Sequence, residues 1–345
     1  MAKKLIIFLA FFIAIFIPTN QAVLNRYAVQ YPLENIRSFK ADFRADYRAV
    51  INREQPRVVV IGDSAIRELN EAVFSDVLER KTLIFSAPGS GSAYWYLFFR
   101  HQVLEAQKPP DMVLFFFRGA TLTEPDYLVD GNYRIRLEEV ASSEDADVYA
   151  LAVGKNQNAL VDLLERYLPL FAYRSEIYQQ LVAQVRNGLP GWLLKCDALC
   201  VDNAFDQVFD DSQINAVLWE DLLRELDKSI DKPENYDFTV RVSSSLLPLI
   251  LKDARNAGIL PVFVRVEYRS QAAGRAEDDL TMEYMQELQH YIQQNGGLYI
   301  DPAKSGGLEP EMYRDEIHLN DENAAAASAI IAQIIANHLD FLPRN

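Results

Sequence analysis

The sequence is poor in cysteine and histidine, and its acidic residues outnumber its basic ones. Its 345 residues include only two Cys and four His, with 34 Lys and Arg against 49 Asp and Glu, which gives a formal net charge of −15. Two cysteines exclude the disulfide scaffold of a small secreted protein and cannot by themselves complete a structural zinc site. The acidic balance repels phosphate backbones, so we expect no nucleic-acid partner.

The sequence also lacks the motifs of nucleotide sites and of repeat proteins. Neither a Gly-x-Gly-x-x-Gly run nor a phosphate loop ending in Gly-Lys-Ser/Thr follows the first predicted strand, so we expect no cofactor. No internal repeat is visible, which excludes a solenoid. With 50% hydrophobic and 24% charged residues, the composition is that of an ordinary globular protein. The length fits one large domain, or one domain with an insertion.

One long hydrophobic run is present, at the N-terminus. Thirteen apolar residues, Leu5 to Ile17, follow Lys3 and Lys4 in the layout of a secretory signal. The run is shorter than the roughly 20 residues that span a bilayer, which favours a cleaved signal peptide. The bulky Asn20 departs from a small-x-small cleavage site, which favours an uncleaved signal-anchor at residues 1–22. Either alternative predicts that the rest of the chain is exported to the periplasmic or extracytoplasmic side, because the lysines stay in the cytoplasm.

The remaining chain alternates strands and helices. Compact apolar runs predict five buried parallel strands at Arg57–Ile61, Thr82–Phe85, Met112–Phe117, Leu260–Val266 and Leu298–Ile300. Helical patterns lie between and after them, at Ala65–Arg80, Ser90–Ala106, Ser243–Asn256, Leu280–Asn295 and Glu322–His338. Parallel neighbours need right-handed crossovers. We therefore predict an α/β fold over residues 56–340, a three-layer flavodoxin-like parallel sheet.

Three other segments have weaker signals. Residues 23–55 predict a stalk or linker helix, and the helical apolar spacing of about residues 121–237 predicts a helical insertion after the third strand. Within that insertion, Cys196 and Cys200 predict a local disulfide rather than a catalytic pair. After the second strand, core packing explains a dense aromatic group better than a sugar-stacking platform does. This group consists of Tyr94, Trp95, Tyr96, Phe98 and Phe99.

A serine follows the first strand of the predicted sheet, and an aspartate and a histidine follow the fifth. The loops beyond the carboxyl ends of parallel strands meet at one edge, and ligands bind there. Ser64 follows the first strand at the mouth of a helix, where a helix cap is the simplest role for a serine. His318 lies three residues after Asp315, so the carboxylate can orient the imidazole and the imidazole can take a proton from the serine. Together they predict a nucleophilic site.

Two segments resemble a known family of hydrolases. Val58–Ser64 and Asp315–His318 resemble the first and last sequence blocks of the SGNH (GDSL-type) hydrolase superfamily. The resemblance implies that Ser64 is the nucleophile, His318 the general base and Asp315 its orienting acid.

The resemblance also implies an oxyanion hole, which is altered in this chain. Gly89, after the second strand, matches the glycine of the second block, whose backbone N–H helps to form the oxyanion hole with that of Ser64. The third block of the family carries an Asn after the third strand, but residues 117–120 read Phe-Arg-Gly-Ala. Arg118 is a cationic substitute for the missing donor, and the alternative is an incomplete oxyanion hole. Asp63 completes the predicted oxyanion and substrate-binding group.

Within the superfamily, an N-terminal anchor, a divergent third block and a large insertion resemble the exported proteins of polysaccharide O-acylation, such as the alginate O-acetylation proteins. This implies an esterase or O-acyltransferase that acts on acetyl esters of a cell-surface polysaccharide and works with a membrane-bound acyltransferase at the inner membrane. Ser64 would be acylated and then deacylated by a sugar hydroxyl or by water. The missing Asn motivates an alternative, a catalytically silent module that docks the polysaccharide or the acyltransferase.

Overall fold

The computed structural model describes three main parts of the chain, residues 2–27, 47–127 and 237–340. Between the last two it also describes residues 129, 137, 140–153, 160, 163–164, 167–174 and 177. The side chains of residues 2–10, 12, 27, 143, 172 and 340 are not described. Contacts divide the chain into two compact units, residues 1–30 with 157–232 and residues 31–156 with 233–345. Cys196 and Cys200, which are predicted to form a disulfide, lie outside the described residues. So does the greater part of the predicted insertion and of the predicted linker helix.

The larger unit contains a sheet of five parallel strands, as predicted. The strands are β1 (Val58–Gly62), β2 (Thr82–Ser86), β3 (Met112–Phe117), β4 (Leu260–Arg265) and β5 (Leu298–Ile300), in the order β2-β1-β3-β4-β5. In register, Val58 pairs with Thr82 on one side and with Met112 on the other. The order in which strands are added to the sheet reverses between β1 and β3. Parallel sheets of this kind bind ligands at such a switch point.

Helices of the larger unit cover both faces of its sheet. In chain order the helices of the two units are α1 (Ala2–Tyr27), α2 (Tyr47–Glu54), α3 (Glu71–Val77), α4 (Ser92–Phe98), α5 (Ala146–Val153), α6 (Pro169–Ala172), α7 (Phe238–Ser243), α8 (Leu247–Ala257), α9 (Arg269–Ala272), α10 (Asp279–Gln294) and α11 (Ala324–Asp340). Of these, α1 and α6 belong to the smaller unit. Short 3-10 turns lie at Ser64–Ile66, Ser143–Asp145, Pro302–Ser305 and Pro310–Met312, and a π-helix continues α4 at Phe99–Leu104.

Two predicted helices differ in the structure, since one is divided and the other begins four residues later. Polar side chains explain both differences. The helix predicted at Ala65–Arg80 becomes a 3-10 turn and α3, because Asn70 Oδ1 accepts hydrogen bonds from the N–H groups of Ala72 and Val73 and so starts a new helix. The helix predicted from Ser243 begins instead at Leu247, whose N–H donates to Ser245 Oγ at 3.3 Å. Local capping interrupts an apolar pattern that continues across the break.

The predicted role of the aromatic group after β2 is confirmed. Its five side chains are 0–6% exposed and belong to the core on one face of the sheet. Phe115 of β3 and Phe263 of β4 stack there with ring centroids 5.3 Å apart. On the opposite face, α3 and α11 cover a second apolar cluster. These two cores fix the sheet from which the site loops extend.

In the smaller unit, α1 packs against α6. Asn20, which is 8% exposed, accepts a hydrogen bond from the Leu170 N–H at 3.1 Å and donates to the Phe16 carbonyl at 2.8 Å. The buried side chain of Asn20 thus has one hydrogen-bond partner in its own helix and one in α6. Among the residues described, no helix is both long and apolar enough to cross a membrane.

Candidate active site

The turn after β1 places Ser64 at the carboxyl edge of the sheet. A Cβ at Gly62 would lie 3.0 Å from Ile66 Cδ1 and 3.1 Å from Phe116 Cβ, so a larger residue where the chain leaves the strand would require these side chains to move. Asp63 Oδ1 then accepts a hydrogen bond from the Ala65 N–H at 2.9 Å and caps the 3-10 turn that begins at Ser64. The half-buried serine is held beside the point where strand order reverses.

The structure brings Ser64, His318 and Asp315 into one hydrogen-bonded row. Ser64 Oγ lies 2.9 Å from His318 Nε2, and His318 Nδ1 lies 2.8 Å from Asp315 Oδ2. Because a carboxylate only accepts, the Nδ1–H donates to Asp315, which leaves Nε2 to accept the serine proton. The arrangement is that of a nucleophile, its general base and an acid that orients the base.

Several donors hold the Asp315 carboxylate in its charged form. Its Oδ1 also accepts the backbone N–H groups of Ile317 at 3.0 Å and His318 at 2.8 Å. Partial burial raises the pKa of Asp315, but the hydrogen bonds from the His318 ring and from these two N–H groups more than offset it and lower the pKa to about 2. The Asp315 carboxylate is therefore ionised at neutral pH and can accept the hydrogen bond from His318 Nδ1.

The loop that carries His318 is tied to the loop after β4. The Glu316 carbonyl accepts the Arg269 N–H at 2.9 Å, and its Oε1 accepts the Ser270 N–H at 3.1 Å. The Tyr313 hydroxyl donates to the Glu267 carbonyl at 3.1 Å. These contacts fix the base relative to the sheet, and they had no signal in the sequence.

The chain after β2 lies against the Ser64 turn. Ser86 Oγ donates to the Asp63 carbonyl at 2.9 Å, and the Ala87 N–H donates to the Gly62 carbonyl at 2.9 Å. Gly89 follows with φ +69°, in the left-handed region that favours glycine. Its predicted role as an oxyanion donor stays a prediction.

Arg118 occupies the position after β3 and is bound to the Ser64 turn. Its Nε donates to Asp63 Oδ2 at 2.8 Å, and its guanidinium also hydrogen-bonds the Tyr127 hydroxyl and lies 5.6 Å from that ring's centroid. Burial lowers the pKa of Arg118, but Asp63 and Tyr127 outweigh it and raise the pKa, so the cation persists. Since both oxygens of Asp63 accept hydrogen bonds, this residue positions the turn and is not an oxyanion donor. Tyr127 was missed by the sequence analysis.

The Arg118–Asp63 pair is expected to stabilise the fold. The two side chains are 14% and 4% exposed, so Arg118→Met would leave a buried carboxylate without its cation. We expect a loss of about 3 kcal/mol in the free energy of unfolding, measured by urea denaturation. The double variant Arg118→Met/Asp63→Asn should recover part of it, because the unpaired charge is removed. A single variant as stable as the parent would contradict this assignment.

Charged residues at the end of β4 form ion pairs and hydrogen bonds within the fold. Arg265 is 2% exposed and pairs with Asp301 at 3.1 Å and with Glu277. Glu267 Oε2 accepts the Leu308 N–H at 2.8 Å, and burial raises the pKa of this carboxyl. Their charges are used within the protein rather than presented to a substrate.

Comparison with known proteins gives a distant structural likeness. No protein-family model matches the sequence, and no curated protein matches it. Among solved structures, the chain is similar to the crystal structure of a GDSL-like lipase from Bacteroides thetaiotaomicron, with 12% sequence identity and a TM-score of 0.37, over 87% of this chain and 98% of that one. A likeness this remote carries no argument about activity. What the site itself establishes is a Ser-His-Asp row at the carboxyl edge of a five-stranded parallel sheet.

Proposed function

We propose that this protein is a serine ester hydrolase or O-acyltransferase of the SGNH type. The observation that carries the proposal is the row of hydrogen bonds from Asp315 through His318 to Ser64. Groups from two loops, Ser64 after β1 and the Asp315–His318 segment after β5, meet there with the spacing that proton transfer requires. This favours a catalytic protein over the silent docking module, which needs no such row.

The chemistry follows from the roles of these groups. Ser64 Oγ attacks the ester carbonyl carbon while its proton passes to His318 Nε2, and Asp315 stabilises the resulting imidazolium. The C–O bond to the alcohol breaks as His318 returns the proton to that alcohol, which leaves an acyl-Ser64. Water, or the hydroxyl of a second alcohol, then attacks the acyl carbon and gives its proton to His318. His318 returns this proton to Ser64 Oγ as the bond between the acyl carbon and the serine breaks. Backbone N–H groups of Ser64 and Gly89 are the proposed donors to the oxyanion.

A small space next to residues that flank the triad in the chain supports a short acyl group. A cavity of about 30 Å³ is lined by Ala65 and Ile317, which adjoin Ser64 and His318 in the sequence, and by further apolar side chains. The charged Arg265 and Glu267 also line it. A space of that size admits a group of about the size of a methyl. We therefore propose acetyl esters as substrates.

The test is the dependence of turnover on acyl length. With p-nitrophenyl esters we expect kcat/KM for acetate to exceed that for octanoate by about tenfold or more, because the longer chain has no space beside Ser64. The background is the rate of the Ser64→Ala protein. Faster turnover of octanoate would contradict the short acyl group, and no turnover of either ester would contradict hydrolysis.

We also propose that the chain is exported and acts on an acylated cell-surface polysaccharide, in partnership with a membrane-bound acyltransferase. The support is sequence alone, namely the apolar run after Lys3 and Lys4 and the resemblance of the sequence blocks. Alkaline phosphatase fused after Asn345 should be active in the periplasm. An inactive fusion, with the protein recovered from the cytoplasm, would contradict export.

A further inference from the structure

A larger cavity opens beside the edge strand β2. Its volume is about 520 Å³, within the range of small-molecule sites. Polar lining comes from Glu68, Glu71 and Ser86, and an apolar wall from Tyr47 and Phe85, whose rings meet edge to face with centroids 5.1 Å apart. The cavity thus combines an aromatic wall with a few polar groups, which is the usual composition of a ligand site.

Two of its lining residues connect the cavity to the triad. Ser86 Oγ hydrogen-bonds the carbonyl of Asp63, the residue before Ser64. Glu68 lies four residues after Ser64, and its Oε1 is 3.8 Å from Arg314 Nη2. The Nε of the same arginine lies 3.9 Å from Asp315 Oδ2. Lining residues of the cavity are therefore linked to Asp63, which precedes the serine, and through Arg314 to Asp315.

Glu68 supplies an acceptor that the protein leaves unused. Its side chain is 7% exposed, and its Oε2 is buried and accepts no hydrogen bond from any residue that the structure describes. A buried carboxylate oxygen without a donor is unfavourable, so a ligand that brings a donor would stabilise it. Glu71 holds a second carboxylate at the wall, where its Oε2 accepts the Ile84 N–H of the strand edge at 3.1 Å.

We propose that this cavity binds the sugar on which the triad acts, and that this sugar is neutral and rich in hydroxyls rather than a uronate. A sugar hydroxyl can donate to Glu68 Oε2, while the C–H face of the ring packs on the aromatic wall. Arg67 and Arg314 lie 3.9 and 3.8 Å from Glu68 Oε1, but both are more than half exposed and offset its charge only in part. A uronate would bring a third carboxylate against Glu68 and Glu71 and would be disfavoured. The inference rests on the proposed function for the reaction, but it concerns binding alone and is tested without turnover.

The test is binding to the full-length Ser64→Ala protein, which retains the cavity and cannot react. The probes are cellotetraose, maltotetraose, mannotetraose and chitotetraose as neutral sugars, and tetragalacturonate as the acidic one, measured by saturation-transfer NMR and calorimetry. We expect at least one neutral tetrasaccharide to bind and tetragalacturonate to bind at least tenfold more weakly. Adding Glu68→Ala should weaken neutral binding by about tenfold or more.

Matched variants separate a binding role from a folding role. Glu68→Gln keeps the volume of the side chain and should also weaken binding, because its charged acceptor is lost. Glu283→Gln, at an exposed position on α10, removes one negative charge elsewhere and should bind as the parent does. Circular dichroism checks that each variant is folded.

Three results would overturn the inference: no binding of any neutral sugar, binding of tetragalacturonate as tight as the best neutral sugar, or undiminished binding by both Glu68 variants. Ester turnover by the protein with Ser64 intact distinguishes these failures from failure of the proposed function. A protein that hydrolyses acetyl esters but binds none of the sugars would refute only the sugar site.

Discussion

Replacing Ser64 by alanine is expected to lower kcat/KM for an acetyl ester by about 10⁴-fold or more. The substitution removes the Oγ of Ser64, which lies 2.9 Å from His318 Nε2. Without it no acyl-enzyme forms, and the residual rate comes from binding and polarisation of the ester. The measurement is p-nitrophenyl acetate hydrolysis by purified protein.

A matched serine controls for loss of folding. Ser243 is exposed at the end of α7, and its Oγ donates only a local hydrogen bond to the Val240 carbonyl. Ser243→Ala should keep the parent rate, and both variants should unfold at the same temperature as the parent. Activity of Ser64→Ala within tenfold of the parent would show that another group performs the reaction.

Asp315→Asn is expected to lower kcat/KM by about 10³–10⁴-fold. The amide has the size of the carboxylate, but it lacks the charge that stabilises the imidazolium of His318. The NH₂ group of the asparagine can also face Nδ1, and Nδ1 then has to accept a hydrogen bond. The ring proton is then on Nε2, and a protonated Nε2 cannot take the proton of Ser64. Measured KM should change little, because Asp315 orients the base and does not contact the ester.

The depressed pKa of Asp315 also predicts how stability depends on pH. Its pKa is about 2 in the folded protein against an ordinary value of 3.8. A group with a lowered folded pKa stabilises the protein above its unfolded pKa, and this contribution is lost as pH falls through the folded value. Acid titrations should therefore show a loss of stability between about pH 4 and pH 2 in the parent that is smaller in Asp315→Asn. Equal acid sensitivity of the two proteins would contradict the assignment.

Much of the fold was predictable because parallel strands are buried on both faces. Continuous apolar runs such as Met112–Phe117 fit strands that are buried on both faces, and all five predicted strands agree with the structure to within one residue at each end. The predicted site residues were also brought together, because the carboxyl ends of parallel strands meet at one edge of the sheet. These residues are Ser64, His318 and Asp315.

Interactions between distant loops could not be predicted from the sequence. Nothing in the sequence pairs Arg118 with Tyr127, or turns the Glu68 carboxylate towards a cavity beside β2, because these contacts depend on the packing of elements that are not neighbours in the chain. The break at Asn70 was missed for a simpler reason. The apolar pattern continues through it, and only the capping hydrogen bonds mark where one helix ends and the next begins.

Covalent labelling of Ser64 tests the central claim most directly. A fluorophosphonate is attacked by an activated serine with loss of fluoride, so the adduct reports the nucleophile without any knowledge of the natural substrate. Mass spectrometry of the full-length protein and its peptides should show one adduct, on Ser64, that is absent from Ser64→Ala and forms far more slowly in His318→Ala. An adduct on another residue, or none on the parent, would contradict the account.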